Sequence, residues 1–599
     1  MQDGTLNRSV LSASTTGNDT ELNIQFAAGS YNCNQSSYIW NSKQVTLQGS
    51  NLTVLTDCYF YFYGGANQAF RISDVTFFNY TLLQNTTGAI TGLSFQLQRV
   101  TFINAAIVKV YSLIPISVDQ CTFSGSINSG SLLYIDRAQA FINNSIFENS
   151  PLSSAIQIVL NTSIPTTPIP YQMDNITFTG LKTGIIGLPV EPGYFQAAQV
   201  TISRLSAFNI TGNRLIDYGG GTGSNQMKAN ITLSDSRIDN LVLSSNMIHI
   251  GGGPNGVILQ NTVITNVKLP LGGAIVYSGG SSVSEYLNVR VENTSGIFYR
   301  VESNQASDNV NYFNITSPSF VVARNCLFVN LRDYFYPSWK MTDSNIDIQN
   351  CTFNNAYGRS GIIYHKQLSG SISDVRIQQT NFSPSSSAQD GGSVSLSGIF
   401  STITLNNLSV RDSSAGGAGG AIYINGQAQQ IDVTHIVVIN GRSALDGGHI
   451  YVNSLNPGAV ITIDRCQLAG GVAENDGGSV ALSGAGDFTI SNTNFTLNAA
   501  VSGGSISCDI SSGSLTLRDS IVSLGDAVTG GALSVQGTPD LVNVTNVEWI
   551  GNNADNLGGS IFIGTLGKSI VLIDDISVSR SSALFGGALA FSGTTGLGV

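Results

Sequence analysis

The feature that most constrains this chain is a four-residue phrase, Gly-Gly-(Ala/Ser/His)-(Ile/Val/Leu), that returns at near-constant spacing. It starts at Gly391, Gly419, Gly447, Gly477, Gly503, Gly530, Gly558 and Gly586, in steps of 26 to 30 residues. Self-similarity at a fixed period of about 20–50 residues is the mark of a solenoid, a propeller or an array. Around the phrase, apolar and polar residues alternate over short runs, as in Ile346-Asp347-Ile348 and Leu515-Thr516-Leu517. That is the period of a strand and not of a helix. A propeller blade needs about 40–45 residues, so the period fits one coil of a parallel β-helix.

The repeat reaches upstream of the Gly-Gly copies once position counts for more than letters. The fourth residue of the phrase extends into an apolar column through Leu133, Ile156, Ile186, Ile216, Ile248, Ile275, Phe298, Phe335 and Ile363. A second column, about half a period away, reads Phe102, Phe123, Phe147, Phe178, Phe208, Phe328, Phe353, Phe382 and Phe495. Three residues before most members stands a polar residue, among them Asn144, Asn175, Asp235, Asn261, Asn325, Asn350, Asn407, Asn492 and Asn546. Each unit therefore reads strand, Asn-type turn, strand, long turn, Gly-Gly, strand. Asn tolerates the left-handed backbone of a sharp bend, and its amide can bond to the Asn above and below. Stacked Phe and Ile would line the inside.

These columns predict an all-β chain, a parallel β-helix solenoid of about 20 coils of roughly 28 residues. At ~4.8 Å per coil this is a rod on the order of 95 Å long. We expect one solenoid over 1–599, with N-terminal coils or a cap in 1–100, irregular coils in 101–385 and regular Gly-Gly coils in 386–599. The start lacks the basic flank and apolar core of a signal peptide. The end stops ten residues after Leu589, inside a fresh copy of the phrase, so the expectation is a fragment truncated at its C-terminus.

Composition narrows the partners. Charged residues make up 11% of the chain, against roughly 25% in ordinary globular proteins, and the net charge is −11 with no basic run. Nucleic acid is excluded as a partner on this ground, since phosphate binding needs clustered Lys and Arg. No apolar run reaches the roughly 18 residues of a membrane helix, so this stretch carries no direct membrane insertion of that kind.

The coil pattern resembles the right-handed parallel β-helices of the pectin-lyase-like superfamily. The Gly-Gly-Ala-Ile phrase with Phe-x-x-Asn is similar to the repeats of chlamydial polymorphic outer membrane proteins. Phe495-Thr496-Leu497-Asn498 matches the second motif, Trp549-Ile550-Gly551-Asn552 matches with one change, and Phe353-Asn354-Asn355 is a residue short. The run Ile24-Gln25-Phe26-Ala27-Ala28-Gly29-Ser30-Tyr31 resembles the first coil of many such helices. Right-handedness is what the resemblance implies.

Several residue sets carry candidate chemistry. Asn-x-Ser/Thr acceptors recur, at Asn51, Asn79, Asn85, Asn143, Asn161, Asn209, Asn293, Asn314 and Asn543 among others. They read as N-glycosylation sites of a secreted or surface protein, or as the by-product of an Asn-, Ser- and Thr-rich composition. The acceptors at Asn175, Asn350 and Asn407, with Asn230 nearby, lie in or beside the turn column, where a glycan competes with the turn. Cys33 and Cys58, and likewise Cys326 and Cys351, are each 25 residues apart, one coil, which is within disulfide range. They read equally as disulfides or as reduced, buried ladders.

Asp390, Asp446 and Asp476 each precede Gly-Gly, and the last two fall on adjacent coils, where two carboxylates could share a calcium ion or simply face water as turn residues. His449 follows its glycines without an acid–base partner placed by sequence. The Gly-His-Gly and Arg-Ile-Lys phrases of polygalacturonase-like enzymes are absent. In Cys58-Tyr59-Phe60-Tyr61-Phe62-Tyr63 alternation exposes Tyr59, Tyr61 and Tyr63 if the Phe side is inside. Tyr334, Tyr336 and Trp339 repeat that theme. Such aromatics suit stacking on sugars or a protein interface, or cover for a long turn.

The function expected is that of an extracellular, non-catalytic structural or adhesive glycoprotein, rod-like or filament-forming. Its partners would be copies of itself, as a homopolymer, or surface glycans and proteins. The alternatives are a carbohydrate-binding or polysaccharide-degrading β-helix and an autotransporter-type passenger domain. Apart from the calcium candidate no cofactor is expected.

Overall fold

The computed structural model describes residues 4–5, 21–34, 37–40, 44–63, 69–79, 82–86, 95–104, 108–111, 115–126, 130–136, 138–160, 169–189, 197–218, 228–250, 255–270, 273–279, 282–302, 319–332, 339–366, 372–565 and 569–592. Among the described residues the secondary structure is entirely β, and the strands pair in parallel, each bonding to its equivalents on neighbouring coils. This is the parallel β-solenoid that the repeat predicts. The chain divides into two compact units, Met1–Glu285 and Tyr286–Val599. The break lies within 101–385 and not at the onset of the regular Gly-Gly coils.

One regular coil of the second unit shows how sequence makes the turn. Strand Ser373–Gln378 alternates inward Val375 and Ile377 with outward Arg376. Gln379 then takes a left-handed φ of 49°, and the chain bends into strand Asn381–Ser387. The long turn ends at Asp390-Gly391-Gly392, and strand Val394–Asn406 carries the chain through a shallow bend into the next coil. Phe382 pairs in register with Phe353 and Val410, and Val394 with Ile363 and Ile422.

Inside, the ladders are apolar and closely stacked. In the first unit Phe77, Phe102, Phe123 and Phe147 lie ring on ring, with centroids 5.2, 4.8 and 4.6 Å apart. In the second, Phe328, Phe353 and Phe382 repeat this at 4.9 and 5.0 Å. These are the spacings of neighbouring parallel strands, so the coil rise itself sets the rings at stacking distance. Two expected columns slip by one residue. Ala207, not Phe208, pairs with Phe178, and Phe208 points outward, 38% exposed. Likewise Ile185 stands in line with Ile156 and Ile216, and Ile186 faces out. In a period-two strand a one-residue shift moves a side chain to the other face, and the irregular turns of the first half hide which of two neighbouring apolar residues is inside.

Candidate functional site

The turn between the first two strands of each coil is the most regular outward feature. Its bend residue is left-handed from coil to coil, at Asn144, Asn175, Asp235, Asn261, Asn325, Asn350, Asn407 and Asn492 among others. Outside Gly, Asn and Asp this conformation costs roughly 1–2 kcal/mol, and the amides lessen it by bonding along the stack. Asn175 Nδ2 donates to Asn144 Oδ1 at 2.8 Å, and Asn350 Nδ2 to Asn325 Oδ1 at 2.8 Å. The sequence reading missed a second ladder five residues on. Asn149, Asn209, Asn240, Asn266, Asn293, Asn330, Asn355 and Asn440 are also left-handed. Here Asn240 donates to Asn209 at 2.6 Å and Asn355 to Asn330 at 2.6 Å. A short strand thus sits between two left-handed corners. Its signature, Asn or Asp at i and i+5 around a central Phe or Ile, was available in Asn144-Ser145-Ile146-Phe147-Glu148-Asn149 and Asn350-Cys351-Thr352-Phe353-Asn354-Asn355.

The ladders sort the glycan acceptors. Asn51 is exposed in a turn, and Asn209 and Asn293 are exposed left-handed corners that accept from the next coil through Oδ1. Asn79 is a half-buried corner, Asn143 a half-buried strand residue, and Asn543 accepts from Thr545 Oγ1 at 3.0 Å. Asn85 lies on strand Leu82–Thr86 with its side chain outside the described set; Asn161 and Asn314 lie outside the described residues. Asn175 and Asn350 already spend the amide nitrogen that a glycan would take.

Cys33 and Cys58 are bonded to each other across adjacent coils, Cα–Cα 4.9 Å. Cys326 and Cys351, open between a disulfide and a reduced ladder in the sequence, are buried free thiols. Their shared hydrogen bond, with burial, holds the Cys351 thiol well above its usual range. Both directly follow a left-handed Asn, as Cys121 and Cys466 follow Gln120 and Arg465. The column elsewhere carries Val, Leu, Ile, Ser or Thr, for instance Val100, Leu205, Ile436, Ser145 and Thr380. A buried side chain no larger than Leu or Ile is what that corner takes, and a thiol is one of several that fit.

The acids before Gly-Gly are half-buried. Burial pushes the Asp446 carboxyl above its usual range, and burial with the charges of Asp446 and Asp509 does the same to Asp476. The Asp476 amide donates to Asp446 Oδ1 at 3.3 Å, as Ala418 N does to Asp390 Oδ1 at 2.9 Å. These carboxylates therefore serve the next coil's backbone. Among the described residues no group of three or more His, Cys, Asp or Glu is placed to hold a metal ion.

His449 is wholly buried, with Nδ1 2.9 Å from Ser479 Oγ. Its ring fits because Gly441 earlier in its own coil and Gly471 in the next leave room: a Cβ on Gly441 would stand 2.3 Å from His449 Cδ2, and one on Gly471 2.7 Å from Cε1. Beside Tyr451, whose hydroxyl lies 3.4 Å from Ser483 Oγ, the Tyr423 ring stacks at 5.3 Å.

The expected aromatic surface divides. Tyr59 and Tyr61 are half-buried outward residues of strand Tyr59–Tyr63, with Phe60 inside; the Tyr63 side chain, Tyr334 and Tyr336 lie outside the described set. Trp339 is a correction: it is fully buried, edge-on to Phe328 at 5.2 Å and tilted against Phe298 at 5.0 Å. Its strand, Trp339–Thr342, places Trp339 and Met341 inside.

A cluster that no spacing announced lies outward in the first unit, on strands Arg214–Tyr218, Ile248–Ile250 and Ala274–Gly279. Asp217, His249 and Tyr277 are in register on successive coils. Arg214 Nη1 donates to Asp217 Oδ1 at 2.5 Å, His249 Nδ1 is 3.0 Å from the same oxygen, and His249 stacks on Tyr277 at 5.1 Å. Burial works against the Asp217 carboxylate, but His249 and Arg214 together hold its pKa below the ordinary value. The arrangement orients an imidazole and clasps three coils together.

No protein-family model matches the chain, and a search of curated proteins finds no match.

Proposed function

We propose that the chain is an extracellular structural or adhesive surface protein, working through the side-chain ladders that the solenoid displays and not through catalysis. The observation that carries this reading is the pair of outward, Asn-rich ladders, at the bend residue and five residues on, which present a repeating hydrogen-bonding surface from coil to coil. Such a surface suits copies of the same chain, or glycans and proteins of another surface. The Cys33–Cys58 bond supports an oxidising compartment, and the exposed acceptors Asn51, Asn209 and Asn293 support glycosylation there. The right-handed, pectin-lyase-like assignment belongs to the same proposal.

Labelling intact cells of the source organism with an amine-reactive reagent that does not cross membranes tests it. The account expects the protein to be labelled before lysis. Labelling only after lysis would sink it.

A carbohydrate-handling reading is second, favoured by the half-buried Asp446–Asp476 pair beside the stacked Tyr423 and Tyr451.

A further inference from the structure

The second left-handed ladder has two apolar members that break its chemistry. In the second unit it runs Asn293, Asn330, Asn355, Asp412, Asn440 and Gly470, with Pro384 interrupting it, and then Leu497 and Leu524 hold φ of 57° and 54° before Gly551 and Arg580. A leucine in this region is strained in a way that Asn and Gly are not. Strained residues persist where the surroundings over-determine them, and they concentrate at functional surfaces.

Both leucines are exposed, 61% and 48%, and they are not alone. The Leu497 amide bonds to Ser523 O at 3.1 Å, which sets Leu497 beside Leu524 on the next coil. Val528 N bonds to Val501 O at 3.0 Å, so Val501 and Val528 form a second neighbouring pair, 51% and 41% exposed. Ile521, 39% exposed, lies three residues before Leu524. Scattered exposed apolar residues need no explanation, but exposed pairs stacked on adjacent coils do.

The edge of the stripe is acidic. Asp526 is exposed between Leu524 and Val528. Glu548 is exposed and directly opposite Ile521 on the next coil. Asp555 is exposed on strand Asn553–Leu557, which pairs with Asp526–Thr529. Among the described residues, the neighbouring Arg518 is engaged with Asp519 at 2.7 Å, and none of the three carboxylates forms an ion pair.

We propose that Leu497, Val501, Ile521, Leu524 and Val528, with Asp526, Glu548 and Asp555 at their edge, form an interaction surface for a protein segment that carries apolar side chains together with Lys or Arg. The apolar stripe supplies the desolvated centre and the carboxylates the complementary rim. A second copy of a chain of net charge −11 would bring like charge to that rim. The assignment stands apart from the compartment in which the chain works.

The test uses the whole chain, a soluble peptide alternating Leu with Lys, and the same peptide with Glu in place of Lys. The variant is Leu497→Asn with Leu524→Asn, which restores the residue the ladder uses elsewhere and so keeps the fold, checked by an unchanged or raised melting temperature. The Lys peptide is expected to bind saturably, more weakly as salt rises, and about tenfold more weakly to the variant. The Glu peptide is expected not to bind. Absence of saturable Lys-peptide binding would overturn the proposal, and so would equal binding of the two peptides. Binding undiminished in the variant would reduce it to general attraction by an acidic chain. Self-association of the wild type that the variant abolishes would give the surface to a second copy and overturn the basic partner.

Discussion

At the scale of single residues, the two buried histidines of the second unit give the clearest handle. His449 and His365 are wholly buried, and burial lowers their pKa to about 3 and about 4. Unfolded, each titrates near 6.5, so between those limits the unfolded chain binds more protons than the folded one. Stability from these sites is therefore complete above about pH 6.5 and falls as pH drops below it, by about 1.4 kcal/mol per pH unit for each fully buried imidazole. Asp446 and Asp476 have the opposite sign, since raised carboxyls favour the folded state at low pH, but they act nearer the ordinary carboxylate range. Denaturant unfolding followed from pH 7 to 4.5 should show the loss, and His449→Ser should make the slope shallower. An identical slope in the variant would show that His449 is not a source of it. The sequence showed His449 after its glycines with no acid–base partner beside it. What it concealed is that Gly441 in the same coil and Gly471 in the next make room for the ring. Trp339 was misjudged for the converse reason: an aromatic-rich segment without a visible period does not reveal which side faces in.

At the scale of the repeating element, the two glycines of the phrase do different work. The first is held by conformation and by space: Gly419 has φ 67°, and a Cβ on it would stand 2.2 Å from Ile422 O. The second is a matter of space between coils: a Cβ on Gly420 would stand 2.0 Å from Gly448 O of the next coil, and the same clash recurs at Gly448 against Gly478 O at 2.1 Å. Gly419→Ala and Gly420→Ala should therefore each cost about 3 kcal/mol or prevent folding, and Gly419→Asn should be no better, although Asn fills the left-handed corners elsewhere. Chemical unfolding of the three variants checks this; a Gly419→Asn variant as stable as the wild type would refute it. The phrase, its period and the first Asn corner were all legible from spacing. The second corner was not, because its place is shared by Asn, Gly, Asp, Leu and Arg and only the φ angle unites them. The Asn of the Phe-x-x-Asn motif also takes on meaning at this scale. Asn498 and Asn552 are fully buried, and their Oδ1 atoms accept from Gly471 N at 2.8 Å and Gly525 N at 2.9 Å. The motif is an internal brace between coils.

At the scale of the whole molecule, the solenoid could be read from the sequence because each coil repeats the same physical solution, and its division at Glu285 and Tyr286 could not. The coils on either side of that boundary carry turns of unequal length, and no composition shift marks it. The Arg214–Asp217–His249–Tyr277 cluster was invisible for a related reason: its members come into register only when the coil lengths are known. The functional account joins two large-scale claims, that the coils stack in this register and that the protein is held in an oxidising, glycosylating compartment. Peptide mapping of protein from its native source, without reduction and before and after enzymatic N-deglycosylation, tests both together. The account predicts a linked Cys33–Cys58 peptide, free thiols at Cys326 and Cys351, and Asn-to-Asp conversion at Asn51 and Asn209 with Asn175 and Asn350 unconverted. Free thiols at Cys33 and Cys58 with no converted asparagine would contradict it.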